Sequence, residues 1–240
     1  MKNIQKIMST VRQAVDHYDM ISHGDKIAVG LSGGKDSIVL LCALAKMRVF
    51  YPKRYELCAV SVDMGFVGSD EIFNQMSELC SELKVEYHVV KTQIAEIVFE
   101  EKKAKNPCSL CAKLRRGALN SEALANGAKK IALGHHLDDA VETFMMSLMH
   151  EGRIGCFSPV TVYDDTGISV IRPMIYTKER DIKSFVNANS IQIIKCPCPE
   201  NHNTEREKMK DFLHPFEVEN RGMYERVLGA LERREIDGWY

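Results

Sequence analysis

Short apolar runs alternate with stretches of helical periodicity between residues 26 and 149. Lys26 to Leu31 is apolar and β-leaning, bounded by Gly24 and by Ser32-Gly33-Gly34, and predicts a buried strand. Asp36 to Met47 has helical composition, Glu56 to Asp63 predicts a second strand, and Asp70 to Leu83 a second helix. Val85 to Val90 predicts a third strand and Ser109 to Asn126 a helix closed by Gly127. A fourth strand follows at Lys130 to Gly134, then a helix from Asp138 to Met149. Residues 1–24 predict an amphipathic helix ending near Gly24, with His17 and His23 on its wet side. Strands alternating with helices imply an α/β fold, a doubly wound and mostly parallel sheet covered on both faces.

The rhythm changes after Gly152. Ser158 to Ile175 predicts a hairpin turning at Asp164-Asp165-Thr166-Gly167. Lys178 to Asn189 predicts a helix, Ile191 to Lys195 a last strand, and 204–235 mostly helix. The economical division is an amino-terminal helix over 1–24, one α/β domain over 25–200, and a helical extension over 201–240.

Composition adds compartment and partners. The chain of 240 residues is 45% hydrophobic and 27% charged, ordinary for a soluble globular protein. Its longest apolar run, Ile38 to Ala45, is too short to cross a bilayer, and the amino terminus lacks the apolar core of a signal peptide. The expectation is a cytoplasmic protein with no membrane partner. Eight cysteines then call for an explanation other than disulfides, because the cytosol keeps thiols reduced. A net charge of −1 gives no global sign of nucleic-acid binding. Locally, Lys102, Lys103, Lys105, Lys113, Arg115, Arg116, Lys129 and Lys130 face one acid, Glu122, whereas the chain from Glu200 onward is net acidic.

Candidate chemistry concentrates where the first strand meets its helix, at Gly30-Leu31-Ser32-Gly33-Gly34-Lys35-Asp36-Ser37. Glycines there let backbone N–H groups approach an anion, and the helix amino terminus adds a favourable dipole. Ser32 and Ser37 offer hydroxyls, and Lys35 a cation for a phosphate. A Walker A loop is excluded, because three residues separate Gly30 from Gly34 and Asp36, not a hydroxyl, follows Lys35. The fourth strand runs into Gly134-His135-His136-Leu137-Asp138-Asp139. Asp138 or Asp139 either complements a helix dipole, or holds Mg²⁺ or positions a reacting oxygen. Gly134 would let the backbone approach a nucleotide, and Asp63 ends a strand where open α/β sheets present their crevice.

Cys108 and Cys111 open a predicted helix, with Asn106 as N-cap and Pro107 at its first position. Helix amino termini and nearby cations favour thiolates, and the i, i+3 spacing lets both sulfurs reach one centre. Alone, the pair is ambiguous among zinc, an iron–sulfur cluster and redox use. Cys196 and Cys198 follow the last predicted strand, while Cys42, Cys58 and Cys80 fit core positions and Cys156 is undecided.

Ser32 to Ser37 resembles, residue for residue, the signature of the PP-loop ATP pyrophosphatases, an adenine nucleotide α-hydrolase-like fold. Joined to His135-His136-Leu137-Asp138-Asp139, it resembles the tRNA-modifying branch of that superfamily. The run Cys108 to Gly117, with Arg172-Pro173-Met174-Ile175-Tyr176 and Lys178 to Ile182, is similar to the TtcA-like two-thiocytidine tRNA synthetase family over roughly residues 24–212. The resemblance implies ATP, Mg²⁺ and a 4Fe–4S cluster held by Cys108, Cys111 and Cys196. It implies adenylation of a tRNA cytidine carbonyl, then sulfur transfer from a donor such as a cysteine desulfurase or sulfide, by a homodimer. Lys35, Asp36, Arg115, Asp138 and Asp139 become the expected catalytic set, and Ser32, Gly33, Gly34, Lys35, Asp36, Ser37, Asp63 and Gly134 the expected nucleotide contacts. One departure leaves Cys198 as a rival ligand: the family spaces its distal cysteines by two residues, and here only Pro197 separates Cys196 from Cys198. A small-molecule sulfur transferase or amide-forming ligase would share the adenylation step, and a cluster- or zinc-bearing redox sensor would share the residues without turnover.

Overall fold

The computed structural model of the chain describes residues 1–66, 68–101, 107–194, 198 and 205–240. Six strands form one sheet in the order β3-β2-β1-β4-β6-β5. They are β1 (Asp25–Gly30), β2 (Tyr55–Asp63), β3 (Glu86–Lys91), β4 (Lys130–Ala132), β5 (Val160–Tyr163) and β6 (Ile168–Ile171). All neighbouring pairs are parallel except the β5–β6 hairpin. β1 lies beside both β2 and β4, with Val29 level with Ala59 on one side and Ala132 on the other. From β1 the chain winds outward through β2 to β3, and beyond β4 lie β6 and β5, so the strand order reverses between β1 and β4. That is where an open α/β sheet places its ligand crevice, outside the carboxyl ends of the strands.

Nine α-helical segments cover the sheet among the described residues: α1 (Ile4–His17), α2 (Lys35–Met47), α3 (Asp70–Leu83), α4 (Ile94–Glu96), α5 (Pro107–Ala125), α6 (Leu137–His150), α7 (Glu179–Ala188), α8 (Glu205–Glu219) and α9 (Met223–Arg233). Strand periodicity sorts side chains into two cores. Ile27 and Val29 enter the larger one, with α1, α2, α3, α6 and α7. Ala28 enters the smaller, with Cys58, Val60, Ile131, Ile168 and Ala123 of α5. Helix α2 is the hub, with every residue from Ser37 to Ala45 buried. Cys42, Cys58 and Cys80 are core residues as expected, and burial pushes the Cys42 and Cys80 thiols up to about 12. Cys156 joins them, its thiol donating to the Ala140 carbonyl at 3.4 Å.

Two sequence expectations need correction. Helix α1 stops at His17 because Asp19 adopts a left-handed φ of 44°, and Met20 and Ile21 fill the core from a turn. Residues 191–194 form no strand: Ile191 N–H closes the end of α7 on the Val186 carbonyl at 3.1 Å, and Ile191 and Ile194 pack on the core from an irregular segment. Apolar content there serves burial, not sheet pairing. The α4 turn and the π-helical turn after it at Ile97–Glu101 were invisible to periodicity because both are too short.

The carboxy-terminal segment packs into the same large core. Trp239 is fully buried and donates its indole N–H to the Phe157 carbonyl at 2.9 Å. Glu232 of α9 accepts hydrogen bonds from Tyr176 at 2.5 Å and Tyr18 at 3.1 Å, tying α1 to the chain end. Trp239→Ala removes a complete buried indole, and the expected cost is about 3–5 kcal/mol in urea unfolding; a change below about 1 kcal/mol would show that the plug is not part of the folded core.

Candidate active site

The loop after β1 folds on its own hydroxyls. Ser37 Oγ donates to the Gly34 carbonyl at 2.9 Å and accepts from Ser32 N–H at 3.1 Å, while Gly34 N–H reaches Ser32 Oγ at 3.3 Å. Gly33 has a φ of +79°, and a Cβ there would meet Ile72 Cγ2 of α3 at 2.5 Å, so glycine is required twice over. Gly34 is the N-cap of α2 in extended conformation, and no side chain caps that helix. The first-turn amides therefore remain available to a bound anion.

Gly134, after β4, meets this loop at its base. A Cβ on Gly134 would lie 3.0 Å from the backbone of Asp36 and Ser37, so the two turns touch main chain to main chain. His136 then forms a reciprocal cap on α6: its N–H donates to Asp139 Oδ2 at 2.9 Å, and Asp139 N–H donates to His136 Nδ1 at 3.4 Å. His136 Nε2 lies 3.6 Å from Asp36 Oδ1, which links the two loops.

The carboxylates divide their work. Asp139 Oδ1 takes Arg206 Nη1 of α8 at 2.9 Å, so both its oxygens are committed to protein donors. Burial opposes its charge, but His136, Arg206 and His135 outweigh burial and hold the carboxyl below the usual value. Asp138 Oδ2 accepts Glu179 N–H at 2.8 Å and caps α7, and burial raises its pKa. Lys35 Nζ sits between Asp36, at 2.9 Å, and Glu179 Oε1, at 3.1 Å. Burial works against the Lys35 ammonium, but Asp36 and then Glu179 outweigh it and keep its pKa above the usual lysine value. Glu179 also pairs with Lys183 and Lys210; despite burial, these cations hold its carboxyl far below the usual range. Glu142, one turn beyond Asp138, is buried, and burial with the Asp139 charge pushes it up to about 8.

Cys111 reaches the same end of the sheet. Helix α5 runs back across the second core, and near its start Cys111 Sγ lies 3.6 Å from Met64 Sδ, directly after β2. Cys108 is exposed, and Cys111 and Cys198 are half-buried. Cys196, Asn106, Lys102, Lys103 and Lys105 lie outside the described residues. Asp63 ends β2 and its Oδ1 accepts Gly65 N–H at 2.9 Å, while Arg115 is exposed one turn past Cys111. The basic run does not make one patch. Lys113, Arg115 and Arg116 project near the start of α5, whereas Lys129 and Lys130 begin β4 at the opposite sheet edge, where Lys130 pairs with Asp25 at 2.7 Å.

Several site residues were missed. Glu179 and Arg172 lie in segments quoted for resemblance but without a role; Arg206 and Lys210 carried only a charge pattern on a predicted helix. Arg172 is buried with no acid in contact among the described residues. It donates to the Ser158 carbonyl at 2.5 Å, Thr161 Oγ1 at 3.0 Å and His135 Nδ1 at 3.2 Å, and stacks over Phe157. His135, pushed down to about 4 by burial, is neutral, and accepting on Nδ1 leaves its hydrogen on Nε2.

A glycine-and-serine cradle at the switch point, with lysine and carboxylates around an uncapped helix, forms an anion-binding crevice of the α/β class. Residues 3–217 match the model of the PP-loop domain, and the chain belongs to the PP-loop family. Within it, the chain is similar to tRNA-cytidine(32) 2-sulfurtransferases. That of Geobacter metallireducens is 37% identical, over 96% of this chain and 90% of the relative. That of Pseudomonas putida is 38% identical, over 92% of this chain and 80% of the relative. Among solved structures, the U34-tRNA thiolase NcsA from Methanococcus maripaludis with its 4Fe–4S cluster matches with a TM-score of 0.80 and 25% identity, covering 97% of this chain and 78% of that one.

Two outcomes follow from this geometry. Gly134→Ala is expected to push the first turn of α2 off the loop and weaken ATP binding by about tenfold or more with little loss of helix, as read by equilibrium dialysis and circular dichroism; unchanged affinity would mean the two turns need not touch. Between the usual glutamate value of 4.5 and about 8, folded Glu142 holds a proton that the unfolded chain has released, so stability falls as pH rises through that window. Thermal melts of Glu142→Gln, which cannot ionise, are expected to decline less than the parent from about pH 6 to about pH 9, and parallel profiles would rule this out.

Proposed function

We propose that this chain is an ATP-dependent, iron–sulfur-dependent tRNA sulfurtransferase that replaces the C2 oxygen of an anticodon-loop cytidine with sulfur. The observation that carries the reading is the convergence of the phosphate cradle, the Gly134–Asp139 turn and the Cys111 thiol on one end of the sheet. In the first step the C2 carbonyl oxygen attacks the α-phosphorus of ATP, the bond to the bridging oxygen breaks, and pyrophosphate leaves. In the second, a hydrosulfide attacks C2 and AMP departs with the former base oxygen. Sulfur enters as sulfide, or as the persulfide of a cysteine desulfurase reduced to hydrosulfide by a dithiol that leaves as its disulfide. A tRNA substrate places this work in the cytoplasm, and the reading includes a homodimer, which sedimentation of the reconstituted protein checks.

The main-chain amides of Gly33 and of the uncapped first turn of α2, with the Ser32 and Ser37 hydroxyls, bind the β- and γ-phosphates, and Lys35 leaves Glu179 to balance their charge. Gly134 lets the nucleotide lie against the β4 turn, and Asp63 contacts the ribose or a metal. Asp138 is the carboxylate that suits Mg²⁺, because Asp139 has both oxygens engaged and Lys35 engages both oxygens of Asp36. Among the described residues no three His, Cys, Asp or Glu side chains form a ready metal cage, which fits an ion that takes most of its ligands from phosphates and water.

Cys108 and Cys111 fit an iron–sulfur cluster: their thiols stand one turn apart at a helix start, and the inner one borders a thioether. Cys196 is proposed as the third ligand, with Cys198 its rival. A bound cluster would supply a soft site for the sulfur to be transferred. Arg115 steers the anionic substrate, and the exposed Lys113, Arg115 and Arg116 contact its phosphates.

Anaerobically reconstituted protein with ATP and tRNA is expected to yield AMP and pyrophosphate together with two-thiocytidine in the digested nucleosides; ADP and phosphate would sink the adenylation step. Cys111→Ser is expected to abolish the cluster's visible absorption and thiolation while ATP affinity stays within about twofold of the parent. Zinc in place of iron on metal analysis of the parent would overturn the cluster assignment.

A further inference from the structure

Glu179 gathers more cations than its charge needs. Its side chain is 8% exposed at the first turn of α7. One oxygen, Oε1, accepts both Lys35 Nζ at 3.1 Å and Lys210 Nζ at 2.8 Å, while Oε2 accepts Lys183 Nζ at 2.9 Å. Two ammonium groups on one oxygen stand within about 6 Å of each other, the sum of those two distances. Lys183, four residues along the same helix, neutralises the carboxylate by itself. Lys35 and Lys210 are therefore free to be exchanged onto a better anion without leaving a bare buried charge. Lys210 is not a wandering surface lysine. Its neighbours Met209 and Leu213 are 4% and 3% exposed, so core packing fixes the stretch of α8 that carries it. Arg206, one turn earlier, anchors the same helix to Asp139 and Thr143 of α6. The arrangement brings a cation from the end of the chain beside the cation of the phosphate loop, at the uncapped start of α2.

We propose that Lys210 is a second phosphate-binding cation of the nucleotide site. With Lys35 it grips the pyrophosphate portion of ATP, and Glu179 is the positioning residue that holds both ammonium groups ready. Helix α8 is thereby part of the ATP site. The inference rests on the ATP reading of the loop and adds to it a residue and an element.

The test uses the full chain and titration calorimetry with ATP and with inorganic pyrophosphate. Lys210→Met is expected to weaken both by about tenfold or more. Lys210→Arg, which keeps the charge, is expected to recover most of that loss. Lys208→Met removes the same charge from the solvent face of α8, where Lys208 pairs with Glu205, and is expected to stay within about twofold of the parent. Melting temperatures of all variants report folding. Unchanged pyrophosphate binding in Lys210→Met overturns the inference while leaving the loop's role intact. An equal loss in Lys208→Met also overturns it, because a general charge effect would then account for the result. A parent protein that binds neither ATP nor pyrophosphate removes the nucleotide reading and the inference with it.

Discussion

The crevice depends on two backbone turns meeting with nothing between them. Gly134 lies so close to Asp36 and Ser37 that even a methyl group would collide with main-chain atoms. That contact joins the turn after β4 to the start of α2, the two structures that leave the sheet where its strand order reverses. A close-packed interior transmits such a constraint, because neither turn can shift without displacing the helix behind it. Helix α2 is the worst element to displace: its residues from Ser37 to Ala45 are all buried. Loop geometry and core packing are therefore one problem in this fold.

The electrostatics follow the same economy. Three helices begin at the crevice, and each solves its free amides differently. α6 is capped by the reciprocal His136–Asp139 pair, α7 borrows Asp138, and α2 has no side-chain cap. Of these three, the helix facing the cradle leaves its amides for a guest. Asp138 supports α7, α7 presents Glu179, and Glu179 holds Lys35, so a ligand that recruits either carboxylate alters the footing of the lysine. These are local bonds with a shared partner at each step, and their energies will not add independently.

Much of this was legible because its signals are short-range. The cradle occupies consecutive residues, the α2 and α3 boundaries follow periodicity closely, and the β5–β6 hairpin announced its turn at residues 164–167. What escaped depends on contacts between distant segments. Glu179 meets Lys210 across 31 positions and Arg206 meets Asp139 across 67, and nothing in a single sequence encodes those pairings. Residues 191–194 misled for a related reason: an apolar stretch shows that burial is wanted, not which geometry supplies it. The basic run shows the limit of counting charge along a chain. Helix α5 carries Arg116 and Lys129 toward opposite edges of the sheet, so a cluster in sequence becomes two separate places in space.

The two chain ends are not equivalent for attaching anything to this protein. Tyr240 lies edge-on to Tyr18, and the residue before it is the fully buried Trp239. An affinity tag or fusion partner joined after Tyr240 would pull on an anchored indole and crowd the Tyr18–Glu232 contact. Met1 is exposed, and the hold on that end begins at the backbone of Lys2, which Asn189 binds. Purification handles and fluorophores therefore belong at the amino terminus.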